Sequence, residues 1–136
     1  LSYQFDWVKD YKNSCQTGQA FLSINNTNGN NRFYLSSIAM ELLEYNFKED
    51  DITYIKVGLD KEKKMLAIKP YLGDDINGKT YKLSKGGSKS NSKCFTSNTL
   101  YETIEPFLNT EDDGNRYKAK FNTKYECLVV DLKEKN

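Results

Sequence analysis

The stretch RFYLSSIAMELLEY, Arg32–Tyr45, reads as a strand end, a polar step and a helix. Ser36 or Ser37 is placed to cap that helix, because a serine oxygen accepts a hydrogen bond from a first-turn backbone N–H. Ile38, Ala39, Leu42, Leu43 and Phe47 recur at helical spacing and make one apolar stripe. The acidic KEDD, Lys48–Asp51, ends it. Further along, KCFTSNTLYETIEP, Lys93–Pro106, says nearly the same thing again.

Working outward, the echo extends to both sides. QAFLSIN, Gln19–Asn25, has extended character, and the Asn- and Gly-rich loop after it tolerates left-handed turns, so a hairpin into RFYLS is expected. ITYIKVGLD and KMLAIKP follow as two strands around the charged turn DKEKK, with Pro70 stopping the second. In the later copy TYKLSKG stands for QAFLSIN, RYKAKFN for TYIKVGL and ECLVVDL for KMLAIKP. The offset holds at about 61 to 63 residues, as an internal repeat requires.

Each copy is therefore expected to fold as strand–strand–helix–strand–strand. A unit of about fifty residues cannot bury both its hairpins and its helix stripe alone, whereas two can share an interior. The expectation is an α+β fold: two ββαββ repeats forming an intramolecular pseudo-dimer, a single compact domain. Its boundaries are an N-terminal extension over 1–18, a first repeat over 19–72 and a second over 73–136. Phe5, Trp7, Val8 and Tyr11 in the extension suit one side of a short helix.

Bulk properties narrow the function classes. The chain has 136 residues, 38% hydrophobic and 29% charged, with Tyr (10) outnumbering Phe (7) and a formal charge of +1. No apolar run approaches the ~20 residues of a membrane span, and LSYQFDWVKD lacks the order of a secretory signal. A cytoplasmic location without membrane contact is expected. Cys15, Cys94 and Cys127 are odd in number and widely spaced, which gives neither a disulfide framework nor metal-ligand spacing. With no His in the chain, His-based triads and metal centres are excluded, and KGGSKS does not match a phosphate-binding Walker loop. No enzyme activity, cofactor or metal is expected.

The order of strand, polar step, helix, acidic turn and charged hairpin resembles the swapped-hairpin AbrB-like domain, carried by bacterial transition-state regulators and MazE-type antitoxins. The matching text is RFYLSSIAMELLEYNFKEDDITYIKVGLDKEKKMLAIKP and, in the second copy, KCFTSNTLYETIEPFLNTEDDGNRYKAKFNTKYECLVVDL. With the leading strands, the resemblance covers about residues 19–132. It lacks the Pro usual in the polar step, and the helix carries Glu41 and Glu44 where a basic residue is customary. The resemblance implies a fused pseudo-dimer that binds DNA, with Arg32 at the hairpin position where such domains place Arg, and Lys93 as its counterpart.

The lysine-rich, acid-free run Lys79–Lys93 adds residues suited to phosphate. The leading expectation is a DNA-binding, regulatory protein of bacterial or phage-like type, contacting double-stranded DNA through Arg32, Lys82, Lys85, Lys89 and Lys93. The alternative is a small inhibitor or adaptor that docks on a host protein through Glu49, Asp50, Asp51, Glu111, Asp112 and Asp113. Pairing of two chains into a homodimer is left open.

Overall fold

The computed structural model describes residues 19–27, 29–73, 79–86, 91–109 and 115–135. The expected 1–18 helix, Lys89 and the acidic trio Glu111, Asp112 and Asp113 lie outside them. The elements in chain order are β1 (Phe21–Thr27), β2 (Asn30–Leu35), α1 (Ser37–Phe47), β3 (Tyr54–Asp60), β4 (Met65–Pro70), β5 (Thr80–Lys82) and β6 (Ser84–Lys85). There follow β7 (Lys93–Thr96), α2 (Asn98–Ile104), a 3-10 turn (Glu105–Phe107), β8 (Arg116–Asn122) and β9 (Cys127–Lys135). Among the described residues no helix is long and apolar enough to cross a membrane.

All nine strands join one antiparallel sheet in the order β5-β3-β4-β9-β8-β1-β2-β7-β6. Its two ends, β5 and β6, are neighbours in the chain, separated only by Leu83. One bent segment thus covers both edges: Lys82 lies opposite Tyr54 of β3, and Ser84 opposite Cys94 of β7. At the bend, Leu83 N–H donates to the Thr53 carbonyl at 2.7 Å. Strand edges present rows of unpaired backbone groups, and curling the sheet into a near-closed barrel removes them.

This architecture corrects the expected fold class. The described residues are mostly β, a nearly closed nine-stranded barrel-like sheet with two helices, not an α+β pair of ββαββ repeats. Ladders between strands remote in sequence, β2 with β7, β4 with β9 and β1 with β8, close one sheet from both halves. Two features separate the halves from the expected equivalence. The strand that was to open the second copy is split at Leu83 and serves two different neighbours. The second helix has 7 residues against 11 in the first, because Pro106 turns its end into a 3-10 turn.

Period-two burial follows from the barrel. Leu22, Ile24, Phe33, Leu35, Ile55, Leu66, Ile68, Leu128, Val130 and Leu132 face inward and are buried. Helix α1 adds Ala39, Met40 and Leu43, and α2 adds Leu100 and Ile104. The Phe33 and Phe95 rings stack across β2 and β7 with centroids 4.9 Å apart. Both helices start on a buried serine: Ser36 Oγ accepts from Ala39 N at 3.2 Å and Ser97 Oγ from Leu100 N at 3.0 Å. Ser36 Oγ also accepts from Phe21 N at 3.1 Å, which fixes the start of α1 to β1.

Candidate functional site

The two hairpins β3–β4 and β8–β9 close through turns built alike. Asp60 Oδ1 accepts from Glu62 N and Lys63 N, both at 3.1 Å, and Asn122 Oδ1 accepts from Tyr125 N at 3.0 Å. A short side chain that caps its own turn is the usual device here. Each turn ends on a residue in the left-handed region, Lys64 at φ 56° and Glu126 at φ 52°. Because β4 and β9 run antiparallel, the two turns stand at opposite ends of their shared ladder.

Between those turns the outer face of β3, β4 and β9 carries a groove of about 610 Å³. Strand alternation fixes what lines it. Gly58 lies opposite Ala67, and Ala67 opposite Val129, which makes a floor of small side chains. Lys56 lies directly opposite Lys69, and Asp60 opposite Met65. Lys63 stands at the turn near Met65, while Asn122, Tyr125 and Cys127 close the other end. A Cβ added at Gly58 would meet nothing within 4 Å, so the floor is open at that point.

The groove is positive. Lys56, Lys63 and Lys69 face one carboxylate, and Asp60 already accepts from its own turn N–H groups. Tyr125 is 66% exposed and Lys124 Nζ stands 5.4 Å from its ring centroid. Burial pushes the Cys127 thiol above its ordinary value, and the Lys69 ammonium pulls it partly back. A protonated thiol is a poor nucleophile, so Cys127 is floor rather than reagent. Among the described residues no group of three or more His, Cys, Asp or Glu side chains is arranged to hold a metal ion.

The residues singled out by sequence are not one patch. Lys82 is exposed on the outer face of β5, opposite Tyr54, which is 43% exposed, and so continues the groove's surface beyond the Lys56–Lys69 pair. Arg32 is exposed on the outer face of β2, and donates from Nη1 to the Tyr34 hydroxyl at 3.2 Å. Lys85 is exposed on β6, next to β7 rather than to the groove. Lys93 faces inward and is buried, donating to Asp51 Oδ1 at 3.0 Å and to the Ile52 carbonyl at 2.6 Å. One expected phosphate contact is therefore held by one expected protein contact, and both serve the fold. Glu49 and Asp50 are exposed after α1.

The groove itself was missed in the sequence because β3, β4, β8 and β9 each contribute a few ordinary residues to it. One signal was available: Gly58 interrupts a strand of otherwise large residues, and glycine within a strand marks a place where another molecule can approach the backbone. Comparison with protein-family models, curated proteins and solved structures finds no match to this chain.

Proposed function

We propose that this chain is a non-enzymatic DNA-binding protein of regulatory type, acting through the lysine-lined outer face of β3, β4, β5 and β9. The observation that carries the reading is the set Lys63, Lys69 and Lys82 on one outer face, with Lys63 and Lys69 in the groove. Such a cluster meets phosphate by charge, and exposed Tyr54 and Tyr125 on its borders offer flat rings to bases. The site differs from the expected one: Lys82 is retained, Lys93 belongs to the interior, and Arg32 and Lys85 stand apart.

The test is DNA binding by fluorescence anisotropy across a salt series. Affinity should fall as salt rises, with a log–log slope of about −0.9 for each duplex phosphate neutralised. Lys69→Glu combined with Lys82→Glu should weaken binding and flatten that slope by about two contacts. Absence of binding to either duplex or single-stranded DNA at low salt removes the proposal.

A further inference from the structure

We infer that the groove takes single-stranded nucleic acid, with an unpaired base against the Tyr125 ring and the neighbouring phosphate at Lys69. The inference rests on the DNA-binding reading above and narrows its substrate to an unstacked strand. Shape is the first argument. A duplex is a thick convex rod, and proteins read it by pushing a helix or ribbon into its major groove. The lysine-lined surface here is concave, and its volume of about 610 Å³ is that of a pocket for small-molecule-sized groups.

The floor is the second argument. Gly58, Ala67 and Val129 lie side by side across three strands, and the open space above Gly58 leaves room for a flat group to lie against the sheet. Third, the groove has at one end an aromatic ring that is 66% exposed, with a lysine amine near its face. Stacking on such a ring is available to every base but only once the base has left a helix. Fourth, the charge is supplied by lysine. The two arginines, Arg32 and Arg116, stand on β2 and β8 and do not line the groove. Lysine attracts phosphate without the two-pronged contact by which arginine reads guanine. Sequence-tolerant binding to a single strand follows.

The experiment compares a fluorescent oligo-dT with a duplex of equal length, using the full chain and two variants. Gly58→Phe places a ring on the groove floor from a position with free space and an ordinary strand backbone. Tyr125→Ala removes the stacking ring from an exposed turn. Oligo-dT should bind more tightly than the duplex, and its log–log salt slope should follow the single-strand value of about −0.7 per phosphate. Tyr125→Ala should weaken it about tenfold, and Gly58→Phe by at least as much, with unchanged thermal melting. If Gly58→Phe does not fold, Tyr125→Ala decides. Duplex binding as tight as that of oligo-dT, or oligo-dT binding unchanged in the folded variants, overturns the groove assignment and leaves DNA binding intact. Loss of both at low salt removes the DNA reading as well.

Discussion

The Lys93 ammonium lies 3.0 Å from Asp51 Oδ1 and 2.6 Å from the Ile52 carbonyl oxygen, tying β7 to the loop that enters β3. The partners are unequal: the Lys93 side chain is 10% exposed and that of Asp51 90% exposed. A solvent-facing carboxylate adds little to an ion pair, so most of the stabilisation comes from the buried hydrogen bond to Ile52. Lys93→Met should therefore cost about 2 kcal/mol, by leaving that carbonyl without its charged donor. Asp51→Asn should cost less than about 1 kcal/mol, since asparagine also tolerates the left-handed backbone found here at φ 53°. Urea unfolding of both variants checks the ranking. Equal losses would mean that the ion pair, not the carbonyl contact, holds the loop.

The same pair shows where sequence reading stopped. The local elements were legible: the strand pair around DKEKK appears as β3 and β4, Pro70 is the last residue of its strand, and RYKAKFN is β8 without alteration. Ser36 caps α1, and the stripe Ile38, Ala39, Leu42, Leu43 and Phe47 faces the core, joined by Met40. These follow from spacing within a dozen residues. What decides the fold is pairing across long separations, such as Leu35 with Lys93 or Met65 with Asp131, and no local period encodes it. Lys93 reads as a loop cation by composition, yet the register sends its side chain inward beside Phe95. The groove was hidden for the same reason, since its walls meet only after β4 and β9 have paired.

Alkaline conditions test the interior. Burial raises the Tyr117 phenol above its ordinary value of 10.0, with the nearby Tyr101 adding to the effect, and burial also raises the Cys127 thiol above 9.0. A raised folded-state value means that the protonated form is the one the fold prefers. Stability from these groups is thus complete below pH 9.0 and is lost as pH climbs through the folded values. Melting temperature should stay level up to that point and then fall. In Cys127→Ala the onset should move toward 10.0, and adding Tyr117→Phe should flatten the remaining decline. Melting curves that decline identically in all three proteins would show that other groups control alkaline unfolding.

Lys69 separates stability from binding. It lies on the exposed face of β4, opposite Lys56 of β3. Lys69→Thr places a β-branched residue on a strand face that favours it. The variant should be at least as stable as the parent in urea unfolding. On the proposed reading it should bind DNA more weakly, because one phosphate-facing cation is lost. A second readout comes from Cys127: without the Lys69 ammonium to lower it, the thiol should titrate higher still, so that alkylation at a fixed alkaline pH slows. Unchanged DNA affinity in the folded variant would place the phosphate contact elsewhere. A loss of stability would mean that Lys69 serves the fold, as Lys93 does, rather than a ligand.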